Sequence, residues 1–194
     1  MENYSVLMSV YYKEQAENLR EAIDSILNQT VKTNEFIIVK DGPLTEKLDN
    51  TIKEYVEEYP GVFKIVTLKK NMGLAKALNK GIEQCSNEII ARMDSDDISM
   101  PDRMERQLEA MEANRADILS GTIVEFDESV DKPTAKRELP EKNEQIIEFA
   151  KKRSPFNHPA VMYKKSSVLK SGLYEDYTYF EDYNLWATML NDGC

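Results

Sequence analysis

Among 194 residues there are two cysteines, Cys85 and Cys194, far apart and without metal-ligand spacing. That excludes a disulfide framework and fits reduced thiols in a cytosolic protein. No apolar run is long enough to span a bilayer, and Met1-Glu2-Asn3-Tyr4 carries no basic, apolar leader. Neither a transmembrane span nor a signal peptide is therefore expected. Internal repeats and low-complexity stretches are absent. Positive charge is in deficit, with a formal net charge of -10. A chain this acidic has no general attraction for nucleic acid. A small anionic substrate would also be repelled unless a metal ion or local basic groups reversed the field. Basic residues do gather at Lys69, Lys70, Lys76 and Lys80, and at Lys151, Lys152 and Arg153. Taken alone, both clusters read as solvated helix faces.

What remains is ordinary globular material, with 41% apolar residues and enough length for one well-buried domain. Short apolar runs over 5–11, 35–39, 62–68 and 88–93 read as strands. Between them, apolar residues recur at helical spacing: Leu19, Ala22, Ile23, Ile26 and Leu27; Leu48, Ile52, Val56 and Tyr59; Leu74, Leu78 and Ile82. Asp41-Gly42-Pro43 and Pro60-Gly61 punctuate the pattern. Alternating β and α units with short connections imply an α/β fold, with a mostly parallel central sheet flanked by helices. The turn after the first strand, Tyr11-Tyr12-Lys13-Glu14, has no glycine. A dinucleotide fingerprint is thus missing, and hydride transfer is not expected.

After Pro101 the rhythm changes. A helix is expected over 101–113, a strand over 118–126 and a polar loop over 127–140. Asn143 is placed to cap a helix running to Lys152, and His158 stands at the start of a short strand over 160–163. A short helix over 165–171, an aromatic irregular stretch over 174–180 and a last helix over 181–190 follow. The chain stops at Gly193-Cys194 directly after that helix, so it is expected to be a fragment of a longer protein.

Chemistry concentrates at Asp94-Ser95-Asp96-Asp97, immediately after the apolar run over 88–93. Neighbouring carboxylates repel, and each is costly to desolvate without a cation. A hard divalent ion with oxygen ligands answers both costs. At the carboxyl edge of an open α/β sheet the acids would face the usual ligand crevice. Seen alone, Asp-Ser-Asp is equally a capped turn. The acidic pair Glu181-Asp182 is likewise open to two readings. It is either a general base with its partner or a helix first turn favoured by the macrodipole.

Five segments together resemble glycosyltransferase family 2, the inverting enzymes of GT-A nucleotide-diphospho-sugar transferase fold. They are 25–30 (SILNQT), 39–43 (VKDGP), 71–81 (NMGLAKALNKG), Asp94-Ser95-Asp96 and 181–186 (EDYNLW). Their order and spacing agree with the family and cover nearly the whole chain. The forms around Asp41, Asp94 and 156–159 (FNHP) are most similar to the branch that builds bacterial exopolysaccharides, including amylovoran.

The resemblance implies one catalytic domain over 1–194. Residues 1–100 would bind the nucleotide-sugar and 101–194 the acceptor. Asp96 would ligate Mn²⁺ or Mg²⁺, with Asp94 near the ribose and reaching the metal through water. Val10 and Tyr11 would line the base, and Asp41 would contact uracil or ribose. Asn71, Gly73, Lys76 and Ser95 complete the expected donor site. Lys76 is equally a solvated lysine, Asp41 and Gly73 equally turn residues, and His158 equally a satisfied core or loop histidine. Asp182 would be the base and Glu181 its orienting partner.

The implied reaction moves a hexose, galactose first, from a UDP-sugar to a glycan or lipid-linked oligosaccharide of capsule or exopolysaccharide. The implied location is cytoplasmic, peripheral at the inner membrane face. No nucleic-acid partner is expected, and oligomeric state is not readable. Two rival functions are a sugar-nucleotide pyrophosphorylase and a catalytically silent carbohydrate-binding or scaffold protein. The first would need a Gly-rich basic turn after strand one, and the second does not account for acids retained at both places.

Overall fold

The computed structural model describes residues 3–127 and 130–194. Met1 and Glu2, and Glu128 and Ser129 of the expected 127–140 loop, lie outside the described residues.

The first half follows the pattern of its apolar residues. β1 (Tyr4–Val10), α1 (Ala16–Leu27), β2 (Glu35–Lys40), α2 (Glu46–Glu58), β3 (Phe63–Thr67), α3 (Leu74–Gln84) and β4 (Ile89–Met93) alternate without interruption. β1 pairs in parallel with β2 on one side and β4 on the other, and β3 pairs in parallel with β2. Thr45 begins α2 as its side chain accepts from the Leu48 N–H at 3.4 Å, satisfying one orphan donor of the first turn.

The second half adds α4 (Arg103–Asn114), β5 (Ile118–Ser120), β6 (Ile123–Phe126), β7 (Pro133–Arg137) and α5 (Asn143–Ala150). A 3₁₀ turn (His158–Ala160), β8 (Val161–Lys164), α6 (Lys165–Lys170) and α7 (Glu181–Asn191) follow. The main sheet has the order β3-β2-β1-β4-β8-β5, and β8 runs antiparallel to β4 and β5.

Four expectations are corrected here. The single strand over 118–126 is two strands in different sheets, broken where Gly121 donates its N–H to Ala160 O at 3.1 Å. The polar loop contains β7, which pairs antiparallel with β6. That ribbon is held by backbone pairing and is largely exposed, so side-chain polarity concealed it. Asn143 is the first helical residue and not the cap, and α5 ends at Ala150. His158 lies in the 3₁₀ turn that precedes β8.

Strand alternation divides the core between the two faces of the sheet. Val6, Met8, Phe36, Ile38 and Ala91 pack with α1, α2 and α4 on one face. Leu7, Ile37, Val39, Ile90 and Tyr163 pack with α3, α6 and α7 on the other. β1 and β2 are covered on both faces, which explains their nearly unbroken apolar sequence. Each large side chain buried there contributes about 1.5–3 kcal/mol. Trp186 of α7 is among the largest fully buried side chains, so the C-terminal helix belongs to this core.

α3 reaches the sheet through Gly81. A Cβ there would lie 2.2 Å from Leu7 Cδ1 and 2.9 Å from Val39 Cγ2, both on fully buried side chains. Gly81→Ala is therefore predicted to cost about 1–3 kcal/mol by overpacking. A urea midpoint equal to that of the parent would show that this contact has slack.

Candidate active site

Strand order reverses at β1. The chain runs outward through β2 and β3, then returns to place β4 on the other side. The loops leaving β1 and β4 consequently meet at the crevice where open α/β sheets bind ligands. Val10 ends β1 and Tyr11 is exposed just beyond it, while Asp94–Asp97 follow β4. The two loops are tied directly: Ser95 Oγ donates to Glu14 Oε2 at 2.9 Å.

Asp94, Asp96 and Asp97 each turn a carboxylate oxygen to a common point, with those oxygens within 4.8 Å of one another. Two guanidinium groups stand behind them. Arg92 is 1% exposed in the middle of β4, and its Nη1 donates to Asp94 Oδ2 at 2.7 Å. Its Nη2 pairs with Asp94 Oδ1, making a bidentate contact. Burial works against the Arg92 charge, and the Asp94 carboxylate with the Tyr174 and Tyr163 hydroxyls outweighs it, raising the pKa. Arg103, at the start of α4, donates through Nη2 to Arg92 O at 2.9 Å and to Val161 O at 3.3 Å. Lost hydration and the neighbouring Arg92 charge pull its pKa down to about 10.

These cations do not balance the acids. Burial, then the charges of Asp94 and Glu14, raise the Asp96 pKa. Burial, then Asp94 and Asp96, push Asp97 up to about 6 against the relief from Arg92 and Arg103. Convergent carboxylate oxygens with surplus negative charge are the donor set that a hard divalent cation takes. The residues present fit Mn²⁺ or Mg²⁺, with Asp96 and Asp97 the freer donors because Arg92 already engages both oxygens of Asp94.

The acidic loop is anchored from α1. Gln29 Nε2 donates to Met100 O at 2.7 Å, and its Oε1 accepts from Met104 N at 3.0 Å. Ser25 Oγ accepts from Ser99 N at 3.0 Å. This accounts physically for the 25–30 segment: it is a clamp on the chain that leaves the acids.

At the end of β2, Asp41 is 4% exposed and its carboxylate accepts from the N–H groups of Met72 (2.6 Å) and Gly73 (3.1 Å). Gly42 has φ of +89°, and a Cβ there would lie 2.5 Å from Asn71 N. Asp41, Gly42, exposed Asn71 and Gly73 thus form one tight corner at the entrance to α3. Lys76, on the first turns of α3, pairs with Asp176 on the loop before α7. Asn79 fixes that loop further, donating to Tyr174 O at 2.8 Å and accepting from Tyr174 N at 3.0 Å.

Glu181 and Asp182 occupy the first turn of α7, both half-buried. Asp182 Oδ2 accepts from Ser154 Oγ at 3.3 Å. Tyr174 is buried, and burial raises its pKa, with the charges of Arg92, Asp182 and Asp94 also acting on its hydroxyl. His158 Nε2 sits 3.1 Å from that hydroxyl, and its ring is 5.8 Å from Trp186. Burial and the Arg92 charge drive the His158 pKa well below its ordinary value, so it is neutral.

The structure therefore joins Val10, Tyr11, Asp94, Ser95 and Asp96 at one crevice and groups Asp41, Asn71 and Gly73 beside α3. Glu181 and Asp182 stand together at the start of α7, and among the described residues no hydrogen bond or ion pair joins them to either group. Sequence reasoning overlooked Glu14, Arg92 and Arg103. Arg92 carried a signal, a cation inside an otherwise apolar strand, because such a charge is kept only when paired. Glu14 and Arg103 carried none, since acids and arginines are common at helix starts.

A pH effect follows from Asp97. Its folded value of about 6 lies above the ordinary 3.8, so folding favours the neutral acid. Metal-free protein loses stability on this account as pH rises through that window, and none below it. Asp97→Asn is predicted to raise the thermal midpoint of metal-free protein at pH 7.5 and to leave it unchanged near pH 3.5. An equal midpoint at pH 7.5 would show that the carboxylate carries no such penalty.

Comparison with known proteins gives the family and the fold. Residues 5–178 match the family described as Glycosyl transferase family 2. The chain is 43% identical to the amylovoran biosynthesis glycosyltransferase AmsE of Erwinia amylovora, over 98% of this chain and 70% of that protein. It is 40% identical to UDP-Gal:alpha-D-GlcNAc-diphosphoundecaprenol beta-1,3-galactosyltransferase of Escherichia coli, over 98% of this chain and 69% of the relative. The solved mannosyltransferase PcManGT from Pyrobaculum calidifontis, in complex with GDP-Man and Mn2+, superposes with a TM-score of 0.71 at 14% identity. That match covers 97% of this chain and 52% of the solved one, so the chain spans about half the length of that structure. At that identity the likeness shows the fold, which is GT-A. With the sequence match covering most of the chain, the protein belongs to glycosyl transferase family 2.

Proposed function

We propose that residues 1–194 form one catalytic domain of an inverting, metal-assisted hexosyltransferase. Residues 1–100 take the UDP-sugar and 101–194 the acceptor. The observation that carries the reading is the convergence of Asp94, Asp96 and Asp97 at the strand-order reversal, with negative charge left uncompensated. A bound Mn²⁺ or Mg²⁺ ion supplies positive charge for the oxygens of the departing diphosphate. Asp96 and Asp97 hold it, while Arg92 fixes Asp94 toward the ribose. Val10, Tyr11 and Asp41 receive the base and ribose, and the Asn71–Gly73 corner lets backbone come close to the donor.

Asp182 takes the proton of the acceptor hydroxyl as its oxygen bonds to the anomeric carbon. The bond from that carbon to the diphosphate oxygen breaks with its electron pair, on the opposite face, so configuration inverts. Glu181 orients the base or the acceptor. Ser154, as donor to Asp182, leaves one carboxylate oxygen available for the hydroxyl proton.

Galactose is the favoured sugar and a diphosphate-linked lipid the favoured acceptor, in capsule or exopolysaccharide assembly. The support is the 40% identity to the Escherichia coli galactosyltransferase and the 43% identity to AmsE. Among the described residues no helix is long and apolar enough to cross a membrane. Work at the cytoplasmic membrane face would therefore rest on peripheral contact by this part of the protein.

Calorimetric titration with UDP tests the donor site: binding is expected with Mn²⁺ and is expected to disappear in Asp96→Ala. UDP binding unaffected by Mn²⁺ would sink the metal assignment. Asp182→Asn is expected to keep UDP affinity within about twofold and to lower transfer by 10²-fold or more, roughly the contribution of general-base catalysis. Unchanged turnover would remove Asp182 from that role.

A further inference from the structure

The segment that bears the acids is held to α1 at both ends. On and just beyond the last turn of α1, Ser25 Oγ accepts from Ser99 N, and Gln29 engages Met100 O and Met104 N. In front of α1, Glu14 Oε2 accepts from the Ser95 hydroxyl at 2.9 Å. Asp96 and Asp97 lie on the short stretch between these two holds. α1 itself has 12 residues and is a rigid spacer about 18 Å long.

Glu14 is fixed on several sides. Its N–H donates to Tyr11 O at 3.1 Å, which closes the turn that follows β1. Its Oε1 accepts from Gln15 N at 2.7 Å and from Asn18 Nδ2 at 3.2 Å. A carboxylate there suits the start of α1, where N–H groups lack partners and the macrodipole favours negative charge. That service uses one oxygen. The other is left for Ser95, which is 6% exposed and stands between Asp94 and Asp96. A hydroxyl flanked by two acids would relieve their repulsion by donating to either. Among the described residues its proton goes instead to Glu14, 81 positions away in sequence. A fourth acid also has a cost here, for after burial and Asp94 the Glu14 charge raises the Asp96 pKa. Helix capping needs neither this bond nor this cost, so capping does not account for it.

We propose that Glu14 is a positioning residue that latches the Tyr11 turn to the Asp94–Asp97 acids through Ser95, so that the turn and the acids are ordered together. The inference rests on the proposed function, in which Tyr11 receives the base and Asp96 and Asp97 the cation. A cation that draws the acids together orders the chain around Ser95. The charge-assisted bond from Ser95 passes that order to Glu14, and Glu14 passes it through its own N–H to Tyr11 O. A nucleoside then meets a turn already held and loses less freedom on binding. By linkage, the nucleoside strengthens cation binding by the same factor.

Uridine is the probe, because it has base and ribose but no phosphate to touch the ion. In calorimetric titration of the parent, Mn²⁺ is expected to tighten uridine binding by about fivefold, and uridine to tighten Mn²⁺ binding equally. Ser95→Ala removes the bond and leaves every carboxylate in place, so the factor should fall to about one. Glu14→Gln removes a charge but keeps a bond, with its amide donating to Ser95 Oγ, and should retain the coupling while Mn²⁺ affinity drops. Circular dichroism confirms that both variants are folded. No coupling in the parent, coupling that survives in Ser95→Ala, or equal loss in Glu14→Gln would overturn the proposal. Hydrogen exchange with Mn²⁺ alone reads the latch without a nucleotide. The amides of Glu14 and Gln15 should exchange more slowly with the ion in the parent and not in Ser95→Ala, and unchanged exchange in the parent would also overturn it. If those amides respond while neither uridine nor UDP binds, the transferase reading fails and the latch stands. If UDP binds with Mn²⁺ while the amides and the coupling do not respond, the latch alone fails.

Discussion

Repulsion among three carboxylates at the mouth of β4 is the constraint around which the first half of the chain is arranged. Asp94, Asp96 and Asp97 are close enough to oppose one another's ionisation, and folding removes water that would screen them. The fold answers from behind, with Arg92 inside the strand and Arg103 at the start of α4. Removing either would leave partly buried negative charge with less compensation. The answer is incomplete, as the raised Asp96 and Asp97 values show, and the remaining deficit faces outward into the crevice. A deficit that the chain does not close itself is what, on the proposed function, would make the site receptive to a cation.

The rest of the architecture holds that arrangement in place. Gln29 and Ser25 clamp the chain beyond the acids, Ser95 ties them to Glu14, and the Asp41–Gly73 corner sets the start of α3. α3 then grips the C-terminal loop through Asn79 and Lys76. Tyr174, on that loop, meets His158 and Trp186 in the core. Residues from distant parts of the sequence are thus tied to α3 by polar contacts at Asp41, Lys76 and Asn79.

Much of this was legible in the sequence where periodicity was strong. The alternation through Met93 placed four parallel strands and three helices, because two-sided burial forces near-continuous apolar runs that polar turns interrupt. β7 was not legible, since Pro133, Thr134, Lys136 and Arg137 offer no buried face to mark a strand. The break at Gly121 was hidden for a similar reason: it depends on Ala160, 39 residues away, supplying the carbonyl. At the site, Asp94, Asp96 and Asp182 stood out because acids after an apolar strand or in an ordered motif need a reason. Glu14 and Arg103 did not, for their importance comes only from what the fold sets beside them. Lys76 was read as a candidate for the diphosphate, and its ammonium meets Asp176 in the structure.

The account turns on a cation completing the charge balance that Arg92 and Arg103 leave open. Crystals soaked with manganese and uridine diphosphate, examined by anomalous scattering at the manganese edge, test this most directly. The account predicts one strong anomalous peak between the Asp96 carboxylate and the diphosphate oxygens. A bound nucleotide with no anomalous peak there, its phosphates held by side chains alone, would contradict it.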